Sequence, residues 1–449
     1  MKELPSAWAQ VTLGDMTEYV TSGSRDWSQY YAETGALFVR TQDINTNKLA
    51  DLGSMAKVRL PISVEGKRTL IRKDDLLITI TGANVGRCAH VIADLPEAYV
   101  SQSVALVRLL DPSLARFVHL QLLSPIDNSG KTSLEARAYG MGRPVLNLDN
   151  VRETPVLVPP RQEQQRIAAK LDAVLTRVDA VNTRLARVAP ILKRFRQSVL
   201  AAAASGVLSA DVNGGNWPKP VDLGAYCEVL GGKRLPKGSQ LSGADTGFPY
   251  VRVTDFYNFS VKVDQVKFVP IEAVNTIARY IIRAVDVYIS IAGSIGLVGR
   301  VPQYLDGANL TENAARIVVG PEVSPSFLMY QLGSPQLQSE MHEKKIATTQ
   351  DKLGLFRIKA LQVCIPPLIE QTEIVRRVES LFAFADRLEA RLQTAQTATE
   401  RLTPALLAKA FRGELVPQDP RDEPASELLR RLQQEAPSTS TKRGRKSAA

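Results

Sequence analysis

Soft metal ligands are scarce in this 449-residue chain, which has three cysteines and three histidines. Cys88, Cys227 and Cys364 lie far apart with no paired spacing, and His90, His119 and His342 offer little to join them. A disulfide framework and a structural zinc site are therefore not expected, and no metal ligand is assigned. Aromatic residues make up 6% of the chain. No apolar run approaches the roughly 20 residues that a membrane span needs. The opening Met1, Lys2, Glu3, Leu4 and Pro5 lacks a signal-peptide core, so a cytoplasmic location without a membrane partner is expected.

Catalytic motifs are also missing. Gly130-Lys131-Thr132 invites comparison with a phosphate-binding loop, but the glycine required five residues before Gly130 is Pro125. No strand followed by Gly-x-Gly opens a cofactor fold. No Asn-Pro-Pro-aromatic or Asp-Pro-Pro-aromatic segment occurs, and three scattered histidines leave little material for a triad. A self-contained DNA methyltransferase or nuclease is disfavoured, and no catalytic residue is assigned.

What the chain does have is length, basic charge and an internal repeat. Its length fits two or three globular units, and a hydrophobic content of 44% is ordinary for them. Fifty-six basic against 46 acidic residues give +10; Lys442, Arg443, Arg445 and Lys446 in a Ser/Thr-rich tail supply +4 of this, leaving +6 elsewhere. The excess favours a polyanionic partner without identifying one. Sliding the chain against itself gives a period near 210 residues. Trp8 and Leu13-Gly14 recur as Trp217 and Leu223-Gly224; Val39-Arg40 with Asp43 recurs as Val251-Arg252 with Asp255. Asp75 and the apolar run to Gly82 recur as Asp286 and the run to Gly293. Farther on, Pro159-Pro160, Glu163-Gln164, Ile167, Gly206 and Leu208 return as Pro366-Pro367, Glu370-Gln371, Ile374, Gly413 and Leu415.

Alternation and β-branched content predict strands over Leu37–Ile44, Leu76–Thr81 and Val100–Arg108, with Phe248–Asp255, Val287–Ala292 and Arg316–Val319 in the second copy. Each copy then crosses its Pro-Pro pair into a long helical segment without glycine until Gly206 or Gly413. Ile167, Leu171, Val174, Val178, Val181, Leu185, Val188, Leu192, Phe195 and Val199 alternate spacings of four and three, a heptad seam. The second copy continues the register through Ile374, Val378, Leu381, Ala385, Leu388, Leu392, Ala395, Thr399, Leu402 and Leu406. A narrow stripe of this kind suits helix-on-helix packing better than a helix lying on a sheet. If an approximate two-fold axis relates the copies, equivalent helices of one chain run antiparallel. About 45 residues at 1.5 Å each make a rod of roughly 65–70 Å, enough to span half-sites about 34 Å apart. Pro190 inside the first helix should kink it. The fold class is therefore α+β: two pseudo-repeated α/β domains separated by two long antiparallel helices that form a coiled coil. The boundaries are 1–157 and 209–364 for the domains, 158–208 and 365–416 for the helices, and 417–449 for a tail with a short helix over Ala425–Gln434 and a disordered basic end.

The segment Ala408-Lys409-Ala410-Phe411-Arg412-Gly413-Glu414-Leu415-Val416-Pro417 resembles the end of the conserved helical region of type I restriction-modification specificity subunits. So does the Pro-Pro pair followed by Glu-Gln and Ile, and so does the layout of domain, helix, domain, helix and tail over nearly the whole chain. The resemblance implies that each domain is a target recognition domain reading one half of an interrupted site in double-stranded DNA. It implies that the helices set the gap and dock two methyltransferase subunits, and that translocase-nuclease (restriction) subunits join for cleavage. S-adenosylmethionine, ATP and Mg are then expected on partner subunits, and no cofactor in this chain. The first helix ends Leu200-Ala201-Ala202-Ala203-Ala204-Ser205-Gly206, without the Phe-Arg pair of the second copy.

Loops after the alternating strands are the candidates for DNA contact. Thr81, Gly82, Asn84, Gly86 and Arg87 combine glycines, which allow close approach, with an amide and a guanidinium suited to adenine and guanine edges. Their counterparts are Gly293, Ser294 and, farther on, Arg300. Arg40, Thr41 and Gln42 pair with Arg252 and Thr254 at a strand end, where turn capping by the neighbouring Asp is the competing reading. Gln102 and Asn313 interrupt strand-like segments, as a solvated strand face also would. Ser24 with Arg25, and Lys233 with Arg234, could clamp phosphates, which position without specifying. Glu163-Gln164 and Glu370-Gln371 read as helix-start devices, the acid favoured by the dipole, rather than as subunit contacts. A coiled-coil scaffold whose β domains bind protein or glycan is the alternative to the DNA reading.

Overall fold

The computed structural model describes residues 4–23, 27–44, 46–61, 67–125, 130–140, 142–344 and 352–435. Ser24, Arg25 and the basic residues Lys442, Arg443, Arg445 and Lys446 lie outside these. The chain divides into two compact units, residues 1–184 with 395–449, and residues 185–394. Each unit therefore owns one head and one half of each long helix.

In the first unit, an antiparallel four-stranded sheet has the order Thr17–Ser22, Val104–Leu109, Leu76–Thr79, Cys88–His90. A second sheet has the order Tyr31–Ala32, Ala56–Val58, Ala36–Val39, Ala98–Val100, its last pair parallel. The second unit repeats the first sheet strand for strand and three strands of the second, which lacks a partner for Tyr31–Ala32 and gains Ile281–Ile282 beside its parallel pair. One runs Cys227–Gly231, Ala314–Val319, Val287–Ser290, Val298–Gly299; the other runs Lys267–Phe268, Pro249–Val251, Ala308–Leu310, Ile281–Ile282. Each head is tied off by a two-stranded ribbon, Ala9–Thr12 with Pro155–Val158 and Val221–Asp222 with Gln362–Val363.

Five of the six expected strands are shorter than their apolar patterns; Leu76–Thr81 and Val287–Ala292 end two residues early, at Thr79 and Ser290. Leu37–Ile44 ends as a strand at Val39, and Thr41–Ile44 is a 3-10 turn. The backbone N–H of Arg40 donates to Asp43 Oδ2 at 2.8 Å, an arrangement that competes with sheet pairing. The second copy does the same: Pro249–Val251 is followed by the turn Val253–Asp255. Val100–Arg108 is two strands, because Ser101–Ser103 turns the chain from one sheet to the other. The repeated Asp75 and Asp286 are structural. Each accepts a backbone N–H at 2.7–2.8 Å, from Arg72 and Arg283, and each faces an arginine of the neighbouring strand, Arg108 or Arg316.

The long helices are Arg161–Ala204 and Leu368–Ala410. The first continues through Pro190 as a single element. Past their ends, Gly206 and Gly413 take φ of 77° and 72°, the left-handed region where a side chain is strained. In the first unit, Ile167 and Leu171 share a core with Leu407, Ala410 and Phe411, so the start of one helix lies beside the end of the other. In the second unit, Val199, Leu200 and Ala203 meet Ile374 and Val378, the reverse pairing. The helices are thus antiparallel. Along the seam Val178, Leu192, Ala385 and Leu392 are buried, while Val174, Leu185, Leu381 and Leu388 are half-buried. Val181 and Leu402 face solvent, so the seam loosens there. Arg196 ties the helices in the second unit, bonding Asp386 at 2.6 Å and Glu389 at 2.8 Å. The helices also cover their heads, since Ile167 and Leu171 sit in the same core as Leu76, Leu120 and Val156.

The repeated Glu-Gln pairs are buried at the helix starts. Glu163 accepts from the Trp8 indole at 3.0 Å, and the Gln164 amide donates to Pro159 O at 2.8 Å. In the second unit, Glu370 accepts from the Ser209 hydroxyl at 2.6 Å, while Gln371 donates to Pro366 O and Glu322 O and accepts from Ser324 N. They join helix starts to incoming chain. Burial raises the Glu163 carboxyl above its ordinary range, against the pull of the Trp8 hydrogen bond.

Candidate nucleic-acid interface

The polar loops converge because backbone hydrogen bonds at the strand ends hold them side by side. In the first head, Ser101 N donates to Val39 O at 2.9 Å, and Ile80 N donates to Ser103 O at 2.9 Å. This brings together the turn after Val39, the turn Ser101–Ser103 and the loop opening at Thr81. The second head repeats it, with Thr311 N on Val251 O at 3.1 Å and Ile291 N on Asn313 O at 2.8 Å.

Within the first head, Thr81 and Gln102 line one open cleft of about 620 Å³ with Ser22, Gly23, Ser103, Arg143 and Val145. Gly23 forms part of its floor, where a Cβ would stand 2.0 Å from Val100 O. Gly82 and Gly86 adopt φ of 100° and 88°. At Gly86 the need is double, since a side chain would also run into Glu135. Asn84 is half-buried, and Arg87 is exposed without an ion-pair partner among the described residues. Thr41 and Gln42 border the same region, half-buried and exposed respectively.

Arg143 escaped the sequence reading. It is exposed and without an ion pair among the described residues, on a hairpin closed by reciprocal bonds between Tyr139 and Val145 at 2.8–2.9 Å. Gly82 N donates to Pro144 O at 3.0 Å, strapping the hairpin to the Thr81 loop. A signal was present: Gly140 and Gly142, both at positive φ, precede Arg143, as Gly82 and Gly86 precede Arg87.

Several other candidates are engaged within their own heads. Arg40 Nε contacts Asp43 at 3.3 Å. Arg252 is held more firmly, with Asp255 at 3.0 and 2.6 Å and Gln265 O at 2.7 Å. Arg300 donates to Ala284 O and to the Ser326 hydroxyl, both at 2.8 Å, which points its guanidinium into the fold. Arg234 is paired with Glu312 at 2.6 Å, and Lys233 lies 5.7 Å from the Tyr280 ring centroid. Gly293, Ser294 and Thr254 are exposed, whereas Asn313 is half-buried.

The histidines have structural settings. His119 is buried, its Nε2 bonding Cys88 O at 3.0 Å and its Nδ1 facing Arg116 at 3.2 Å; burial lowers its pKa to about 4. His90 lies 3.0 Å from Asp74, and desolvation lowers its pKa too. Among the described residues, no group of three or more His, Cys, Asp or Glu side chains could hold a metal ion. No helix of the described residues is long and apolar enough to cross a membrane.

Two copies of one mixed α/β head, each converging three polar loops and each seated on an antiparallel helix pair, define a duplicated recognition module. A family model described as the type I restriction modification DNA specificity domain matches residues 5–189 and again 216–396. The chain belongs to that family. It is 34% identical over 292 residues to the type I restriction enzyme EcoBI specificity subunit of Escherichia coli, a match spanning 61% of either chain. It is 27% identical over 446 residues to the StySPI specificity subunit of Salmonella potsdam, covering 93% of this chain and 91% of that one. The fold is shared with the HsdS subunit of Thermoanaerobacter tengcongensis, with a TM-score of 0.56, 21% identity and 92% and 98% of the two chains covered. It is also shared, at a TM-score of 0.72 and 21% identity, with a chain from a structure concerned with complex assembly and conformational transition of the type I R-M system, over 92% of this chain and 100% of that one.

Proposed function

We propose that this chain is the DNA-reading specificity subunit of a type I restriction-modification complex and performs no chemistry itself. Each head reads one half of a bipartite target in double-stranded DNA, and the helices set the spacing. The observation that carries the reading is the repeated convergence of three polar loops at equivalent strand ends of two family-matched heads. In the first head Thr81, Gln102 and Arg143 offer donors and acceptors of the kind that discriminate base edges. Two methyltransferase subunits dock on the helices, and restriction subunits join for cleavage. S-adenosylmethionine, ATP and Mg belong to those partners, and the complex works in the cytoplasm. Family membership weighs against a scaffold that binds protein or glycan.

The test is binding of the chain with its methyltransferase partner to duplex DNA over a salt series, together with mapping of methylated adenine in the host. Affinity falls as salt rises, because phosphate contacts release counterions. Methylation marks a single interrupted sequence. Removing one heptad from both helices, about 10 Å of rise, changes the tolerated gap and leaves the half-sites intact. Salt-independent binding would refute the phosphate contacts, and an unchanged gap would refute the ruler.

A further inference from the structure

We infer that Glu312 and Arg234 form a base-reading pair in the second head, which selects one C·G pair in the half-site that this head recognises. The inference rests on the DNA reading proposed above and adds an acidic reader to it. The turn Thr311–Asn313 takes the place that Ser101–Ser103 has in the first head, since Thr311 N donates to Val251 O as Ser101 N donates to Val39 O. Where the first head carries Gln102, the second therefore carries a carboxylate.

A carboxylate on a face that meets phosphates weakens binding to DNA of every sequence, because like charges repel. It suits such a face only where a hydrogen-bond donor awaits it. In the major groove cytosine offers N4–H with no acceptor beside it on the same base, whereas the N6–H of adenine sits next to the acceptor N7. An acid at this turn thus favours cytosine and penalises the other bases.

The geometry of the pair fits that task. Glu312 Oε1 accepts from Arg234 Nε at 2.6 Å, and its Oε2 accepts from the Thr311 hydroxyl at 3.1 Å. Partial burial pushes the Glu312 carboxyl up, but the bonds from Arg234 and Thr311 outweigh it and hold the group below its ordinary range. The side chain is therefore ionised at neutral pH and can only accept. Arg234 is anchored through Nε alone, so Nη1 and Nη2 have no protein partner among the described residues. Two such donors match O6 and N7 of guanine, the partner of the cytosine, so one base pair can engage both side chains. The other candidate arginines of this head, Arg252 and Arg300, donate to backbone carbonyls of their own head.

The backbone holds the pair together before DNA arrives. Gly232 lies so close to the turn that a Cβ would stand 2.1 Å from Thr311 O. Lys233 N donates to Leu310 O at 2.8 Å, and the Tyr250 hydroxyl donates to Lys233 O at 2.8 Å. Stability does not explain the pair, because the Arg234 side chain is 77% exposed and exposed ion pairs contribute little.

The experiment uses the full chain in complex with the methyltransferase subunit of its own system. Binding is measured on duplexes carrying the mapped target and every single-base change in both half-sites. Wild type is expected to prefer C·G at one position of one half-site by at least about tenfold. Glu312→Gln, which installs the side chain found in the first head, is expected to abolish that preference, strengthen binding to the disfavoured duplexes and leave the other half-site unchanged. Arg234→Met, at an exposed position, is expected to weaken the preferred duplex at least about tenfold and to lose the same preference. Unaltered preference in either variant, or a change equal on all duplexes, overturns the inference without touching the proposed function. Failure of the wild-type complex to bind duplex DNA overturns both.

Discussion

Replacing His119 by Gln should remove a pH dependence from the first unit. His119 is 4% exposed, and its Nε2 is shared with Cys88 O while Arg116 occupies the Nδ1 side. The neutral ring fits these partners with a proton on Nε2; an added proton on Nδ1 would face the guanidinium. Its pKa in the fold is about 4, against 6.5 for an unperturbed imidazole. The folded value is depressed, so the contribution to stability is complete above about pH 6.5 and is lost as pH falls toward about 4. At pH 5 the unfolded chain binds nearly one more proton than the native unit at this site. Linkage then gives a loss of about 2 kcal/mol at pH 5 and about 3 kcal/mol at pH 4. The amide of Gln can still donate to Cys88 O but cannot ionise. Urea unfolding at pH 7 and pH 5, in a Trp217→Phe background that leaves Trp8 and Trp27 as reporters of the first unit, reads the difference. The variant should be less stable at pH 7, through imperfect packing, and regain most of that deficit at pH 5. Parallel pH profiles for the two proteins would refute the assignment of His119 as a buried neutral imidazole.

Two further predictions concern the arginines. Arg108→Met should destabilise the first unit by about 3–5 kcal/mol, because it leaves the fully buried Asp75 carboxylate without the guanidinium that grips it at 2.8 and 2.6 Å. The same change at Arg316, 21% exposed and touching Asp286 at 3.3 Å, should cost less, and a thermal melt showing equal losses would contradict the burial argument. Arg143→Ala should leave the melt unchanged while relaxing sequence preference at one position of the first half-site, with a loss of about 1–3 kcal/mol in binding to the preferred duplex. A uniform loss on all sequences with a smaller salt slope would make Arg143 a phosphate contact instead.

The features visible in the amino-acid order were those that depend on period. Ile167, Leu171 and Val178, or Ile374, Val378 and Leu392, are buried because a seven-residue repeat on a helix must present one stripe to something. The 210-residue recurrence announced two heads of one design; the first sheet of each obeys it in full, and the second sheets share three strands and differ in one edge strand each. Asp43 beside Arg40, three residues apart, even carried its own warning of turn capping. Arg300 gave no such warning, since its partners at Ala284 and Ser326 are set by distant strands and a helix.

Sequence alone thus determined the duplication, the helical seam and the family, because each is written in spacing along the chain. Tertiary structure decided which polar groups are spoken for and which surfaces stay bare. Arg143 reaches the cleft because Gly82 straps its hairpin in place, and Trp8 is buried in a core with the tail helix where Trp217 stays half-buried, because one copy of the repeat is followed by a helix and the other by the next head. Those outcomes depend on what lies across space from a residue, and no periodicity encodes that.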